Sequence, residues 1–241
     1  MPQRIPAFEL SDDAKRVRAF LYEHWCEHGR GPNLRGVHEA TGLSRPQIVD
    51  AYKELELAIM LVADLSTQNV NVLKVMPFSS FPSQVEVWID GQFHSYAGCA
   101  MESVAISKMP PFGGKEVRVE SYCACCLAPV TAVFKDGDLL SCTPESTLIH
   151  VSQAPWDWGI PTLVPMCDAM NYVHDADHAA AYERTVARRG VLFTFPQAKL
   201  FVSGTSGKRM WDHDWGPERM EPAPILDGLR RLGIDVGNWE P

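Results

Sequence analysis

The sequence predicts an α+β fold, in which an N-terminal winged-helix-like three-helix module precedes a mixed domain of strands and helices. Apolar residues recur at helical spacing through the first sixty residues. Strand-like alternation with Asp-Gly turns takes over after the Pro- and Ser-rich stretch that ends at Ser83. The expected boundaries are 1–78 for the module, 79–215 for the mixed domain, and 216–241 for a tail with a short helix.

Three helices are predicted in the N-terminal module. The first begins after Ser11, a residue type that favours the N-cap, and ends at Gly29. The second is short and is closed by Gly42. The third begins at Ser44, with Gln47 three residues later, which is the pattern of a capping box.

Two strand-like segments, IMLVAD and NVNVLKV, follow the helices and predict a two-stranded wing. Winged modules often bind DNA through their third helix. Residues 1–60, however, carry eight Lys or Arg against nine Asp or Glu, and Arg45 and Lys53 lie among three acidic residues. A structural role is therefore favoured over DNA binding, and a transcription regulator is retained only as a minor hypothesis.

The segment Pro77–Ser83, PFSSFPS, is rich in Pro and Ser and predicts a linker. A hairpin around Asp90-Gly91 follows, and a short helix is expected from Cys99. The runs EVRVESY, APVTAVF and LLSC predict three more strands.

The last third of the sequence is less regular. An irregular stretch rich in Pro and Trp covers Trp156–Pro165, and DADHAAAYERTVARRG predicts a helix that stops at Gly190. A Gly/Ser loop is expected at Ser203–Gly207, and PILDGLRRLG predicts the tail helix.

Composition is that of a globular protein in a reducing compartment. Hydrophobic residues make up 46% of the 241 and charged residues 22%, with a net charge of −8, which disfavours a nucleic-acid partner. The N-terminal residues contain no apolar signal region, and no apolar window is long enough to span a bilayer. We therefore expect a cytoplasmic protein without a membrane partner, whose seven cysteines are mostly free thiols.

Cys99 and Glu102 form the first candidate site. Cys99 lies where a strand ends and a short helix begins, and Glu102 projects from the same helical face. Backbone N–H groups in a first helical turn stabilise a thiolate. A thiolate beside a carboxyl group is an unusual pair for acyl transfer, but it suits a soft metal and a proton donor. On spacing alone, a buried thiol beside a surface carboxylate is the favoured interpretation.

A second candidate is a metal site at Cys123, Cys125 and Cys126 in YCACCLAP. Zinc prefers four ligands, and Cys142 and His150 are candidates to complete a set, although the spacing matches no standard zinc motif. The histidines suggest no further metal site. His174 and His178 are four residues apart near the start of a helix, but that helix is interpreted as solvated on one face. Cys167 considered alone is an ordinary buried thiol, and no nucleotide-binding motif is present.

The order of these pieces resembles the alkylmercury lyase (organomercurial lyase) family. The stretches that carry the resemblance are YAGCAMESVAI, VRVESYCACCLAPVTAVF and PTLVPMCDAMNYVHDADHAAAYERT, and the similarity runs over roughly residues 12–200. The resemblance implies that residues 79–215 form the catalytic domain. The tail from about Gly216 lies outside it.

The resemblance implies a role for each of three residues. Cys99 and Cys167 would bind mercury through sulfur, which soft Hg(II) prefers. Glu102 would protonate the leaving carbon as a general acid. Cys123 would be structural. The family's acid is usually aspartate rather than Glu102, and the residue before its first cysteine is often tryptophan rather than Gly98.

The implied function is cleavage of a carbon–mercury bond with no organic cofactor. Hg(II) would stay bound to Cys99 and Cys167 until cellular thiols or a mercuric reductase accept it, and Zn or Cu would be adventitious or structural. Two alternatives remain open: a non-catalytic protein that binds or senses a soft metal (Cu, Zn or Hg), and a lyase-like enzyme acting on another organometal compound.

Overall fold

The computed structural model describes residues 3–4, 9–157, 159–160, 163–205 and 222–239. It confirms the predicted α+β class, with N-terminal helices followed by a mixed domain of strands and helices. Within these residues, none of the helices has both the length and the apolar character needed to cross a bilayer. The expected division at 78–79 and 215–216 stays a prediction.

Three helices form the N-terminal module, as the sequence predicts: α1 (Asp12–His28), α2 (Leu34–Thr41) and α3 (Arg45–Leu57). The Ser11 side chain caps α1 by accepting a hydrogen bond from the Ala14 N–H group. The capping box of Ser44 and Gln47 is also present. These caps satisfy N–H groups that the first turn of a helix leaves without partners, so local sequence alone fixes where α1 and α3 begin.

The two strands predicted as a wing are present, and they are continuous with the main sheet. The strands β2 (Leu61–Asp64) and β3 (Asn71–Val75) pair antiparallel, and β4 (Phe78–Ser79) extends them. The linker prediction for Pro77–Ser83 is therefore wrong at Phe78 and Ser79, which are buried. The reason is tertiary packing, because the Phe78 ring stacks on Trp25 of α1 with centroids 6.0 Å apart.

In the described part of the chain, the main sheet has eight strands, all paired antiparallel. The other strands are β5 (Glu86–Ile89), β6 (Gln92–Ala97), β7 (Glu116–Tyr122), β8 (Pro129–Lys135) and β9 (Asp138–Thr143). Their order in the sheet is β2-β3-β4-β6-β5-β7-β8-β9. The predicted turn at Asp90-Gly91 is confirmed, since both residues have the positive φ that a tight hairpin needs.

A second, three-stranded sheet was not predicted from the sequence. It consists of β10 (Leu148–Val151), β12 (Met170–Val173) and β13 (Val191–Phe193), with β10 in the centre. A two-stranded pair is formed by β1 (Gln3–Arg4) and β11 (Gly159–Ile160). The segment predicted as irregular, Trp156–Pro165, thus contains β11 and the start of a helix.

Five further α-helices lie within the described residues. They are α4 (Ala100–Ile106), α5 (Leu163–Asp168), α6 (Ala176–Val186), α7 (Phe195–Thr205) and α8 (Pro222–Arg231). The predicted helix at α6 and the tail helix at α8 are confirmed, but the predicted stop at Gly190 is wrong. Helix α6 ends at Val186, where Ala187 adopts the left-handed C-cap conformation and its N–H group donates to the Glu183 carbonyl. The predicted Gly/Ser loop is wrong at Ser203–Thr205, which end α7, and its remaining residues lie outside the described ones.

Helix α4 lies in the interior and joins the two sheets. All seven of its residues are buried, and it packs against α7, β6 and β12. Apolar side chains of α1, α4 and β12 belong to one contiguous core. A helix enclosed in this way places its side chains precisely, because the surrounding packing leaves it no alternative position.

Candidate active site

Cys99 occupies the junction between β6 and α4. Its backbone is extended, with φ −165° and ψ 178°, and it is the N-cap residue of α4. The sulfur accepts a hydrogen bond from the Glu102 N–H group at 3.4 Å. The sequence prediction that Cys99 begins a short helix is therefore confirmed, and the thiol is fully buried.

Glu102 lies one turn along α4 and is only 6% exposed. Its Oε2 atom accepts a hydrogen bond from the Cys167 thiol at 3.3 Å. Its Oε1 atom is buried and has no hydrogen-bond partner among the described residues. An unpartnered carboxyl oxygen in a buried site is costly, and such atoms are often reserved for a ligand.

Cys167 reaches the site from a different element, 65 residues further along the chain. It lies inside α5, and it is buried. The Cys99 sulfur, a Glu102 carboxyl oxygen and the Cys167 sulfur all lie within 4.8 Å of one another. The structure thus brings together the three residues that the resemblance selected.

Gly98 forms part of the wall of this cluster. A Cβ atom at this position would lie 1.9 Å from Glu102 Oε2 and 3.2 Å from the Cys167 sulfur. The first distance is far below any real contact, so a side chain at position 98 would displace the glutamate carboxyl group. The two departures from the family pattern, Gly98 and Glu102, are therefore linked, because the longer acid occupies the space that a side chain at 98 would need.

A cavity of about 300 Å³ adjoins the cluster at Gly98. Its lining includes Lys74, Tyr122, Asp168 and Asn171. Asp168 follows Cys167 directly in the chain, so the cavity borders the cluster through both of the elements that carry the sulfur atoms.

The buried site raises the pKa values of all three groups. Burial raises the pKa of the Cys99 thiol and that of the Glu102 carboxyl group. The adjacent Cys99 sulfur, together with burial, holds the pKa of Cys167 well above its usual range. The positive charge of Lys74, which is itself buried, opposes these shifts in part.

The predicted cluster of metal-binding cysteines is divided by the structure. Cys123 and Cys126 lie with His174 in a second group whose ligand atoms are within 4.8 Å of one another. Cys125 has no place in that group. Cys142 and His150, the predicted completing ligands, are not in it either. The Cys142 residue is opposite Ala132 in the main sheet, and the His150 ring contacts Glu183 at 3.0 Å.

His174 was missed by sequence reasoning. It was interpreted as an ordinary residue at the start of a solvated helix, and its only sequence signal is its position directly after an apolar strand, β12. Strand β12 contacts the loop that contains Cys123, although the two segments are far apart in the sequence. Hydrophobic periodicity reports local structure and does not reveal such contacts.

The fold and the buried cluster first define a class of protein. It is an α+β chain in which two thiols, the ligands that suit a soft metal ion, meet a carboxyl group in one buried site. The family model for alkylmercury lyase matches residues 78–205, more than half of the chain, and the chain belongs to that family.

One solved structure agrees with this assignment at the level of the fold. It is described as the crystal structure of the mercury-bound form of MerB2, with 19% identity and a TM-score of 0.62. The similarity covers 83% of this chain and 92% of that one. A comparison with curated proteins gives no match.

Proposed function

We propose that this chain is an organomercurial lyase, which cleaves a carbon–mercury bond by protonolysis at Cys99, Cys167 and Glu102. The observation that carries the proposal is the convergence of two sulfur atoms and one carboxyl oxygen within 4.8 Å, all of them buried. Membership of the alkylmercury lyase family supports the same activity.

The substrate is a small organomercury compound that enters through the cavity beside Gly98. A volume of about 300 Å³ accommodates a short organic group. Mercury is the substrate's own atom, so the reaction needs no organic cofactor. Thiolate sulfur is the ligand that a soft ion prefers, which is why the metal moves from the cavity into the cluster.

The first thiol exchanges with the ligand that accompanies the mercury. Cys99 loses its proton to that departing ligand and forms a sulfur–mercury bond. Cys167 then gives its proton to Glu102 Oε2, along the hydrogen bond of 3.3 Å, and its sulfur also binds the metal. A second sulfur donor adds electron density to mercury and weakens the carbon–mercury bond.

Glu102 completes the reaction as the general acid. It now carries the proton from Cys167 and delivers it to carbon, so the hydrocarbon leaves and Hg(II) remains between two sulfurs. One thiol proton has left with the original ligand and the other is in the hydrocarbon, while Glu102 returns to its carboxylate form. The raised pKa of Glu102 suits this role, because burial strengthens the carboxylate's affinity for the proton that it receives from Cys167.

Product removal requires a thiol partner outside the site. Hg(II) held by Cys99 and Cys167 leaves only by exchange with other sulfur atoms, which cellular thiols or a mercuric reductase would supply. A cytoplasmic location would provide these thiols.

The proposal is tested by hydrocarbon release. Purified protein is incubated with an organomercurial and excess small thiol, and the hydrocarbon is measured by gas chromatography. We expect release above the thiol-only rate for the wild type, and none above it for Cys99→Ala or Cys167→Ala. The matched control Cys142→Ala, which removes a buried thiol outside the cluster, should remain active.

A wild type that releases hydrocarbon only at the thiol-only rate would instead support the second candidate, a protein that binds or senses a soft metal without turnover. The observation that favours this candidate is the substitution of Glu102 for the usual aspartate. A longer acid at the same backbone position changes the proton's approach to carbon, and a misplacement of about 1 Å can lower a rate about 100-fold. Activity on another organometal compound would be revealed by exchanging the metal in the same assay.

A further inference from the structure

A second group of metal-ligating side chains lies in the loop that joins β7 to β8. Cys123 and Cys126 occupy this loop, and backbone hydrogen bonds fix its shape. The Cys123 N–H group donates to the Ala128 carbonyl at 2.8 Å, and the Leu127 N–H group donates to the Cys123 carbonyl at 2.8 Å. The Cys-x-x-Cys turn is therefore preformed, with a buried sulfur at one end and an exposed one at the other.

The third member of the group comes from the other sheet. His174 follows the last residue of β12, and the loop is attached to that strand because the Ala124 N–H group donates to the Tyr172 carbonyl at 2.9 Å. The two sulfur atoms and a ring nitrogen of His174 lie within 4.8 Å of one another. Two ligand atoms of one loop thus meet a third from a residue 48 positions further along the chain than Cys126.

The His174 ring has the hydrogen bonding of a metal ligand. Its Nε2 atom lies 3.2 Å from the Pro129 carbonyl, which only accepts, so Nε2 carries the hydrogen. The Nδ1 lone pair is then available, and it lies 3.9 Å from the Cys126 sulfur. Metal-binding histidines commonly donate their other ring N–H to a backbone carbonyl in this way, because the bond fixes both tautomer and orientation.

We propose that Cys123, Cys126 and His174 bind a Zn(II) ion, with water as the fourth ligand. Two thiolates and one imidazole suit this ion, and neutralise its charge. In a tetrahedral zinc site the sulfur–nitrogen distance is about 3.6 Å, close to the 3.9 Å between Cys126 and His174. The exposed position of Cys126 leaves one side of the site open to water.

The zinc ion would connect two segments that line the active-site cavity. Tyr122, directly before Cys123, and Asn171 in β12 both line that cavity. An ion that joins the β7–β8 loop to the end of β12 holds these two walls at a fixed separation. It acts independently of the lyase chemistry, since it shares no ligand with Cys99, Glu102 or Cys167.

The test is metal analysis of the full-length protein under reducing conditions. After equilibration with zinc and removal of the excess, we expect one ion per chain by mass spectrometry. Cys126→Ser and His174→Ala should each lose it, and their thermal unfolding should no longer respond to added zinc. The matched control Cys125→Ser, in the same loop, should retain it, and so should the double variant Cys99→Ala with Cys167→Ala.

Cobalt substitution provides a second readout. The wild type loaded with Co(II) should show a thiolate-to-cobalt charge-transfer band that Cys126→Ser lacks while keeping the wild-type circular dichroism spectrum. The proposal is overturned if the wild type takes up no zinc, or if zinc persists in Cys126→Ser and disappears in the double variant. Because Cys126→Ser leaves the active-site cluster intact, failure of the zinc proposal is distinguishable from failure of the lyase proposal.

Discussion

At the scale of single residues, the site depends on a carboxyl group held in a buried position between two thiols. Glu102 accepts from Cys167 through Oε2 while Oε1 has no partner among the described residues. One carboxyl oxygen is therefore hydrogen-bonded to Cys167, the source of the proton, and the other has no hydrogen bond within the described residues. This asymmetry suits a group that receives a proton from one atom and delivers it to another.

The variant Glu102→Gln separates mercury binding from protonation. The amide keeps the shape of the acid but neither accepts the Cys167 proton nor passes one on, so hydrocarbon release should fall about 100- to 10,000-fold. Both sulfur atoms remain, so one mercury ion per chain should still bind. Gas chromatography and mercury titration measure the two effects, and an active Glu102→Gln variant would remove the general-acid role.

The variant Gly98→Ala tests the link between Gly98 and the glutamate. Its Cβ atom would lie only 1.9 Å from Glu102 Oε2, so the carboxyl group must move. We expect hydrocarbon release to fall at least about 100-fold, as for a misplacement of about 1 Å.

The double variant Gly98→Ala with Glu102→Asp is the matched comparison. The shorter acid withdraws from the added methyl group, so part of the lost rate should return. If the single and double variants release hydrocarbon at the same reduced rate, the two positions are not linked by steric contact.

Residue-level chemistry was partly predictable from the sequence. The N-cap position of Cys99 and the common face of Glu102 follow from helix geometry, which acts over three residues. Cys167 was selected only through the resemblance, because 65 residues separate it from Glu102 and no local pattern indicates their contact. His174 was missed for the same physical reason.

At the scale of elements, α4 is positioned by a polar contact with the second sheet. The Tyr172 hydroxyl group lies 2.7 Å from the Ser103 hydroxyl group, and both residues are buried. This contact joins the helix that carries Cys99 and Glu102 to β12, the strand that follows α5 and its Cys167. The distance between Cys99 at the start of α4 and Cys167 in α5 thus depends on how α4 is positioned against β12.

The variant Tyr172→Phe should allow α4 to shift relative to β12. The Tyr172 hydroxyl group also donates to the Ala100 carbonyl at 3.4 Å, and loss of these buried hydrogen bonds lowers the free energy of unfolding by about 1 to 2 kcal/mol. Hydrocarbon release should also slow, since the helix gains freedom relative to Cys167. Urea unfolding and the lyase assay measure the two effects.

Tyr52→Phe is the control for this prediction. The Tyr52 hydroxyl group is buried without a hydrogen-bond partner among the described residues, so its removal should cost nothing. Equal stability of the two variants would show that the Tyr172 contact does not position α4.

Element boundaries were predictable where the signal was local. The residues that cap a helix or form an Asp-Gly hairpin lie within a few positions of the boundary that they determine. The start of α1, the start of α3 and the β5–β6 turn accordingly match the prediction. The strand β4 has two residues and lies in a Pro- and Ser-rich run, so only its pairing with β3 and β6 reveals it. The second sheet was not predicted, because its short strands are separated by helices and turns.

At the scale of the whole molecule, several thiols are protonated more firmly in the folded chain than in the unfolded one. Burial raises the pKa of Cys26 to about 12, and those of Cys99, Cys142 and Cys167 are also raised. A group with a raised folded pKa contributes stability that is fully present below its unfolded pKa. That contribution is lost as the pH rises through the folded value.

Stability should therefore decline in alkaline solution. The unfolded thiols ionise near their ordinary value of 9.0 while the folded ones retain their protons. Each such thiol should lower the free energy of unfolding by about 1.4 kcal/mol per pH unit above that point. Urea unfolding between about pH 8 and about pH 10 measures the slope. Cys26→Ser should make it shallower, and equal slopes would contradict the assignment.

The central claim is that the cluster cleaves carbon from mercury and does not merely hold the metal. A single-turnover experiment tests it most directly, with protein in excess over an organomercurial and both hydrocarbon and bound Hg(II) counted. The account predicts one hydrocarbon released for each mercury bound, faster than in thiol alone and absent in Cys167→Ala. Mercury bound at Cys99 and Cys167 with its organic group still attached would contradict it.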